Sequence, residues 1–313
     1  MVHLPIIPSP PKCPEATNIG YRVTEYAPGK NMALWYPTTD PESDYQYDGQ
    51  NTGHVAVNGA INTCTQWPLV VFSHGYTGCG TQSLFFTETL ARNGYIVAAP
   101  DHPDHGCSIT DEKDLPYRDL NDTDNWTDQT YIERRNDIEA VINYLTTSGA
   151  TISAEINKDS IGLAGHSLGG YTVAGIANAW PAWNDKRIKA ALLFSPFMEP
   201  FSNKAINGIT IPVMYQGAAN DFTTTDALDG PDGAYAQTTG PKYFLILADG
   251  DHFDWTNSMC QNYANIKECV GNNRTVQAIN AYGVAFLNRY LKNISSPVLT
   301  STASALLKYQ YSQ

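Results

Sequence analysis

Short, largely apolar runs alternate along most of this chain with segments in which apolar residues recur at helical spacing. The runs predict strands that are buried on both faces, at 68–72, 95–99, 159–164, 188–194, 211–216 and 242–248. Helical spacing predicts helices at 82–93, 130–147, 168–179 and 273–292. This alternation is typical of an α/β fold with a doubly wound, mostly parallel sheet and helices on both faces.

The residues before the first of these strands follow a different pattern. Residues 1–18 are rich in proline and predict an extended N-terminal arm on the surface. Tyrosine, valine and leucine residues at 20–26 and 31–36 predict an antiparallel hairpin. Residues 38–66 are rich in Asp, Gly, Asn and Thr, and they predict a loop. Because no linker-like stretch follows, we expect one α/β domain over residues 1–313.

Composition and charge exclude several classes of function. Hydrophobic residues make up 42% of the 313 residues, which is enough for a large buried core. No apolar stretch approaches the roughly 20 residues of a membrane-spanning helix, so we expect no integral membrane association. The 31 Asp and Glu residues outnumber the 19 Lys and Arg residues, giving a formal net charge of −12. Such a surface repels phosphate backbones, so nucleic acid is not an expected partner.

The cysteines bear on the compartment of the protein. None of the six lies in a C-x-x-C pair or at zinc-site spacing: Cys13, Cys64, Cys79, Cys107, Cys260 and Cys269. An even number in a large acidic chain favours disulfides, and therefore a secreted or periplasmic protein; six buried thiols in a cytosolic enzyme are the alternative. The pair expected to bond is Cys260–Cys269, with Cys79–Cys107 and Cys13–Cys64 as guesses. The first residues have no charged segment and do not resemble a signal peptide.

The strongest chemical signal is the segment Gly165-His-Ser-Leu-Gly-Gly170, between a predicted strand and a predicted helix. In that context G-x-S-x-G forms a nucleophile elbow, a tight turn that holds the serine in a strained backbone conformation. Glycines are required because side chains beside the serine would clash with the strand and helix. The helix N-terminus then directs free N–H groups at the position where an oxyanion forms. Ser167 is therefore the predicted nucleophile.

A serine nucleophile needs a histidine as base, and the base needs an acid that orients it. His252 is the only histidine after Ser167, and it follows directly on a predicted strand. Asp221 follows the preceding predicted strand, so the chain order is serine, acid, histidine, as in nucleophile-elbow enzymes. We expect Ser167, Asp221 and His252 to form a catalytic triad, with Asp226 as the alternative acid.

The loop after the first central strand, Phe72-Ser-His-Gly-Tyr-Thr-Gly78, is placed to supply a second N–H group to the oxyanion. By position, the expected donors are the backbone N–H groups of Tyr76 and Leu168. The Tyr76 ring would also form an aromatic wall against the acyl group of a substrate. His166, beside the nucleophile, is a further expected substrate contact.

Several segments carry a resemblance to known enzymes. The chain resembles α/β-hydrolases of the dienelactone-hydrolase and platelet-activating-factor-acetylhydrolase type through Leu34–Pro37, Val70–Gly75 and Gly94–His102. It is also similar to cutinase-like polyester hydrolases through Gly75–Thr77, the Gly165–Gly169 elbow and the loop Gly217–Asp221. The resemblance covers about residues 20–292, and it implies the α/β-hydrolase fold and a serine esterase.

The resemblance has two departures. Dienelactone hydrolases use a cysteine nucleophile, so Ser167 argues against their substrate. Cutinase-like polyesterases usually carry a tryptophan in the loop after the strand that follows the elbow, where this chain has Phe194–Phe201. Phe197 is the substrate contact that the resemblance implies there, with Phe201 as the alternative.

The expected function is hydrolysis of small or polymeric carboxylic esters through an acyl-enzyme, by a monomer that needs no cofactor. The alternatives are a phospholipase or acetylhydrolase of lipid esters, an amidase, and a catalytically silent binding protein on a hydrolase scaffold. No metal is expected, because Asp101–His105 is poorly spaced for zinc and Asp119–Asp128 lacks the glycine and glutamate of a calcium loop. Residues 101–105 are instead expected to brace the loop beside the oxyanion site.

Overall fold

The computed structural model describes residues 18–47, 51–106, 120, 122–147, 150–202, 206–221 and 225–313. These residues form the strands β1 (Asn18–Ala27), β2 (Lys30–Thr38), β3 (Ser43–Gln46), β4 (Thr52–Val57), β5 (Trp67–Ser73), β6 (Ile96–Pro100), β7 (Ile156–His166), β8 (Ile188–Phe194), β9 (Val213–Ala218), β10 (Lys242–Leu247) and β11 (Leu306–Ser312). The helices are α1 (Leu84–Arg92), α2 (Ile132–Thr146), α3 (Leu168–Ala174), α4 (Thr225–Leu228), α5 (Ala234–Gln237), α6 (Ile266–Asn272) and α7 (Arg274–Leu291).

The strands form one sheet in the order β11-β10-β9-β8-β7-β5-β6-β2-β1-β4-β3. The six central strands run parallel to one another, in the order β10, β9, β8, β7, β5 and β6. Antiparallel β2 and β11 flank them on either side. Every residue of β6 and β9 is buried, as expected for strands that are covered on both faces. The predicted doubly wound, mostly parallel α/β sheet is confirmed.

Helices cover the two faces of the sheet. On one face Val71 of β5 packs in a core with Ile138 of α2 and Tyr171 of α3. On the other face Val70 belongs to a second core, which contains residues of α1 and α7. Because consecutive residues of a strand point to opposite faces, β5 contributes to both cores and is fixed between them. The strand that leads into the loop at 73–78, here called the oxyanion loop after its predicted role, is therefore held from both sides.

The edges of the sheet differ from the prediction. Residues 38–66 contain β3 and β4 rather than loop alone, and β4 pairs in parallel with β1. The polar composition that predicted a loop arises because β3 is an edge strand that has no buried residue. β11 forms the opposite edge and was not predicted. The predicted arm at 1–18 lies outside the described residues apart from Asn18, which begins β1.

The helical segment after the elbow is shorter than predicted. α3 ends at Ala174, and a π-helical turn at Gly175–Ala179 replaces its last turn. Asn178 in that turn has φ of +95°, and its side-chain amide donates to the carbonyl of Gly208 at 2.8 Å. This hydrogen bond, to a residue 30 positions further along the chain, stabilises the left-handed conformation of Asn178 near the end of the helical segment. The structure does not test the prediction that one domain spans residues 1–313, and it stays a prediction.

The disulfide predicted between Cys260 and Cys269 is confirmed, with the two Cα atoms 5.3 Å apart. Cys64 and Cys79 are also disulfide-bonded. The suggested partners Cys13 and Cys107 lie outside the described residues. In the part of the chain that the structure describes, no helix combines the length and hydropathy needed to cross a membrane.

Candidate active site

Ser167 occupies a sharp turn between β7 and α3. Its backbone has φ of +54° and ψ of −119°, a conformation that is strained for a residue with a side chain. The Ser167 N–H donates to the carbonyl of Phe194 at 3.0 Å, and the Ser167 carbonyl accepts from the N–H of Phe197 at 2.9 Å. These bonds to the end of β8 hold the strained turn in place and leave the side-chain hydroxyl at the carboxyl end of the sheet.

The glycines of the elbow are required by close approaches between backbones. A Cβ atom at Gly165 would overlap the backbone of Gly169. A Cβ atom at Gly169 would overlap the carbonyl group of Ser73 at the end of β5. The first turn of α3 therefore lies directly against the loop that begins at Ser73, so these two glycines set the distance between the nucleophile and that loop.

In the predicted triad, His252 lies within hydrogen-bond distance of both Ser167 and Asp221. The Nε2 atom of His252 is 2.9 Å from the Oγ atom of Ser167. On the other side of the ring, Nδ1 is 2.9 Å from Oδ2 of Asp221. Asp221 follows β9 and His252 follows β10, so loops at the carboxyl ends of parallel strands bring the groups together. The alternative acid, Asp226, lies in α4, and its side chain is outside the described residues.

A second serine contacts the acid of this arrangement. The hydroxyl of Ser195 donates to Oδ2 of Asp221 and lies 3.3 Å from Nδ1 of His252. Ser195 follows directly on β8 and has φ of +39°, and its N–H donates to the carbonyl of Gln216 at 2.7 Å. Ser195 was not among the site residues predicted from the sequence. Its position after a buried strand of the predicted sheet was the signal that could have found it.

His166 lies beneath His252 and is only 3% exposed. Its Nε2 atom donates to the carbonyl of His252 at 2.8 Å, while Nδ1 accepts from the amide of Gln82 at 3.0 Å. The other end of the Gln82 amide accepts from the N–H of Gly75 at 2.8 Å. Burial lowers the pKa of His166 to about 3, so the ring is neutral and keeps this pattern of one donor and one acceptor.

This position corrects the expectation that His166 contacts substrate. Both ring nitrogens are occupied by protein groups, and the ring is buried rather than lining a surface. His166 instead bridges the oxyanion loop, through Gln82, to the backbone of His252. Nothing in the sequence pointed to Gln82, because its partner His166 lies 84 residues further along the chain.

The two predicted oxyanion donors belong to different segments of the chain, the start of α3 and the loop after β5. Leu168 is the first residue of α3, so its N–H has no partner within the helix. Tyr76 lies in the loop after β5, and its ring is partly buried against the core that contains α2 and α3. The assignment of both N–H groups as oxyanion donors stays a prediction.

Comparisons with known proteins agree with this geometry. Residues 43–143 match the family described as platelet-activating factor acetylhydrolase, isoform II. Cutinase est2 of Thermobifida alba is 25% identical over 252 residues, which cover 80% of this chain and 67% of that protein. Platelet-activating factor acetylhydrolase of Bos taurus is 23% identical over 223 residues, covering 61% of this chain and 46% of that protein.

The structural comparison extends over the whole fold. A ferulic acid esterase from Streptomyces cinnamoneus superposes with a TM-score of 0.68 at 20% identity, covering 98% of this chain and 99% of that one. The chain is an α/β-hydrolase of the serine esterase type. The resemblance inferred from the sequence motifs is thereby confirmed. The esterase spans about two thirds of the length of cutinase est2 and less than half of the bovine protein.

Aromatic side chains border the predicted triad. Phe197, the contact implied by the cutinase resemblance, is partly buried and packs against Trp126, with ring centres 5.6 Å apart. Phe253 is 61% exposed, and its ring meets that of His252 edge-on at 5.5 Å. Phe253 was not predicted from the sequence, although a large aromatic residue in a loop of aspartates and glycine was a usable signal.

A buried carboxylate that was not predicted lies close enough to the triad to interact with it electrostatically. The Oε2 atom of Glu199 is buried and accepts no hydrogen bond from the described residues. Burial raises the pKa of Glu199 to about 7, and the charge of Asp221 acts in the same direction while His252 opposes it. Glu199 therefore changes its charge near neutral pH, where the esterase is expected to work.

Replacing Glu199 with glutamine is expected to move the acidic limb of the pH profile of kcat/KM to lower pH by a few tenths of a unit. An ionised Glu199 attracts a positively charged His252 ring, and the neutral amide of the variant removes this attraction, so activity is expected to persist at lower pH. The measurement is kcat/KM between pH 5 and 9. Glu155→Gln is the matched control. The Oε2 atom of Glu155 is also buried without a partner, but Glu155 precedes β7 and so lies at the end of the strand opposite to Ser167. Equal shifts in both variants would contradict the prediction.

The segment 101–105, discounted as a zinc site, lies beneath the oxyanion loop. His102 and Asp104 are fully buried there, in contact with His74 and Arg134. Among the described residues no group of three or more His, Cys, Asp or Glu side chains is placed to hold a metal ion. The contacts with His74 and Arg134 support the expectation that residues 101–105 brace the loop beside the oxyanion site.

Proposed function

We propose that this esterase cleaves carboxylic esters through an acyl-enzyme on Ser167. The observation that carries the proposal is the continuous chain of two 2.9 Å contacts from the Ser167 hydroxyl, through the His252 ring, to Asp221. In the first step His252 accepts the hydroxyl proton as Ser167 attacks the acyl carbon, and it then gives that proton to the leaving alcohol. Asp221 holds Nδ1 protonated and stabilises the imidazolium that forms.

The oxyanion of each tetrahedral intermediate is assigned to the N–H groups of Tyr76 and Leu168. Two loops from different strands then supply the donors, which is the arrangement that acyl transfer at a nucleophile elbow requires. Water, activated by the same histidine, releases the acid and restores the hydroxyl of Ser167. No step in this sequence needs a metal or an organic cofactor.

Apolar or aromatic acyl groups are the substrates that the surroundings of the site favour. Exposed Phe253 and partly buried Tyr76 and Phe197 offer ring surfaces, and His252 itself has a side chain that is 22% exposed. A partly exposed base suits esters whose bulk stays outside the protein, including polymers. The relation to cutinases and the likeness to a ferulic acid esterase support the same class.

A lipid acetylhydrolase is the second candidate. The family match over residues 43–143 favours it, because that segment includes β5, α1 and the oxyanion loop. The two candidates share the triad chemistry and differ only in the alcohol and acyl groups that the rim accepts. A substrate panel therefore separates them, whereas a test of the nucleophile does not.

Labelling by a fluorophosphonate probe tests the proposed nucleophile. We expect stoichiometric labelling of the wild-type chain and none of the Ser167→Ala variant, because phosphonylation requires the activated hydroxyl. The matched control is Ser258→Ala, which removes an exposed hydroxyl elsewhere in the histidine loop and should leave labelling intact. Labelling that persists in Ser167→Ala would overturn the assignment, and so would a wild-type chain that never labels.

Replacing Phe253 with alanine is expected to raise KM about tenfold for p-nitrophenyl esters with long or aromatic acyl groups, and hardly at all for the acetate. The ring offers apolar surface only to an acyl or alcohol group large enough to reach it. The panel also includes a short-acyl phospholipid, an anilide and an insoluble polyester film. Leu307→Ala, at an equally exposed position in the edge strand β11, is the matched control. An equal change in KM for all esters would contradict a contact at Phe253.

We further propose that the protein is secreted and acts as a monomer. The disulfides at Cys64, Cys79 and Cys260–Cys269 support an oxidising compartment. Every group assigned to the reaction belongs to a single chain, which supports a monomer. Thiol titration of protein from the culture medium, with and without reductant, and sedimentation of the active protein test the two statements. Free thiols in the untreated protein, or activity confined to a larger assembly, would contradict them.

A further inference from the structure

Arg134 of α2 is buried beneath the oxyanion loop, in a cluster of polar groups that the reaction itself does not use. The other members, all at most 1% exposed, are Ser73, His74, His102, Asp104 and Asp137. Burying this many polar groups costs free energy unless each forms its hydrogen bonds. A contribution to stability alone therefore does not account well for the presence of the cluster. Its contacts with the loop at 73–76 indicate a more specific role.

The guanidinium of Arg134 contacts a carboxylate on one side and the oxyanion loop on the other. Two parallel hydrogen bonds join it to Asp104, with Nε to Oδ1 at 2.9 Å and Nη2 to Oδ2 at 2.7 Å. Its remaining donors reach main-chain carbonyls, with Nη1 donating to His74 at 2.7 Å and Nη2 to Gly75 at 3.1 Å. The two bonds to Asp104 fix the plane of the guanidinium group. The guanidinium group in turn fixes the orientation of the two main-chain carbonyls.

The carbonyl of Gly75 belongs to the same peptide group as the N–H of Tyr76. In a planar trans peptide these two groups point in opposite directions, so a donor that holds the carbonyl also aims the N–H. Two further donors reach the Gly75 carbonyl, the Nδ1 atom of His74 at 2.7 Å and the N–H of Gly78 at 3.0 Å. The Nε2 atom of His74 accepts from the N–H of His102 at 3.0 Å, which places the ring proton on Nδ1.

We propose that Arg134 is a positioning residue for the oxyanion hole, which it acts on through the Gly75–Tyr76 peptide. The inference rests on the proposed function, because it takes the Tyr76 N–H as an oxyanion donor. Loss of one donor in an oxyanion hole lowers kcat by about 10²–10³-fold, and a misaligned donor is expected to lose part of that. The preceding peptide group, His74–Gly75, is held at both ends, because its carbonyl accepts from Arg134 and its N–H donates to Gln82.

The test is Arg134→Lys, which keeps a positive charge beside Asp104 but cannot reach both carbonyls. We expect kcat to fall about 10–100-fold with KM changed less than threefold. The specific readout is the ratio of kcat/KM for an ester to that for its thiono ester. Sulfur accepts N–H hydrogen bonds weakly, so a misaligned donor lowers the rate of the ester more than that of the thiono ester. The ratio should therefore fall about tenfold.

Arg135→Lys is the matched control, since Arg135 is the next residue of α2 and pairs with Glu139 at the surface. Because the loss of a buried ion-pair partner can unfold a chain, the ratio is also measured on the Arg134→Gln/Asp104→Asn double variant, which removes both charges together. A lower kcat with an unchanged ratio in folded variants would overturn the proposal. A failure of the proposed function would be recognised separately, because the wild-type chain would then show no ester hydrolysis that depends on Ser167.

Discussion

Replacing Asp221 with asparagine is expected to lower kcat by about 10⁴-fold while leaving KM nearly unchanged. The carboxylate accepts from Nδ1 of His252 at 2.9 Å and compensates the imidazolium that forms when Ser167 loses its proton. An amide carries no charge, and where its NH₂ group faces the ring it favours the tautomer with a proton on Nε2. That tautomer cannot accept the proton of the serine hydroxyl.

The matched control for this prediction is Asp226→Asn, because Asp226 is the acid that the sequence left as an alternative. Its kcat is expected to stay within twofold of the wild-type value. Steady-state kinetics on one soluble ester, together with thermal unfolding of each variant, are the measurements. A large loss in Asp226→Asn with little change in Asp221→Asn would reassign the acid.

The order and placement of the triad could be predicted from sequence because each member follows a buried strand. In a parallel sheet the carboxyl ends of successive strands meet at one edge, so residues just after β7, β9 and β10 must lie close together. The elbow was recognisable for a similar reason, since its glycines are required by backbone approaches that any such turn makes. These are consequences of chain geometry that depend little on the surrounding side chains.

The groups that hold the triad in place could not be predicted in this way. Gln82, Arg134 and Ser195 reach their partners across loops whose relative positions depend on the packing of the whole sheet. His166 was misassigned because its proximity to Ser167 in sequence says nothing about which way its ring points. The strained φ of +54° at Ser167 turns the chain so that the preceding side chain is buried under His252.

The edges of the fold were unpredictable for another reason. β3 has no buried residue, so the composition of residues 43–46 resembles that of a loop. In β11 only Leu306 is buried, and its other side chains are partly or fully exposed. Hydrophobic patterning detects a strand through the faces it buries, and edge strands that bury little give no such signal.

Replacing Gly169 with alanine is expected to lower the free energy of unfolding by roughly 3 kcal/mol and kcat/KM by at least about 10²-fold. The added Cβ would overlap the carbonyl group of Ser73 and lie within 2.6 Å of the carbonyl of His74. These are backbone atoms at the root of the oxyanion loop, so no side-chain rotation can relieve the overlap. Either α3 or the loop must move, and each movement separates the nucleophile from one oxyanion donor.

Gly271→Ala provides the matched control, because a Cβ atom at that position in α6 meets no atom within 4 Å. Alanine in a helix is favoured over glycine, so this variant should gain about 0.5–1 kcal/mol of stability and keep full activity. Denaturant unfolding and kcat/KM of both variants are the measurements. The same glycine-to-alanine change then has opposite signs at the two positions, because only Gly169 lies between the nucleophile and the oxyanion loop. Similar effects in both variants would show that the close contact at Gly169 does not set that distance.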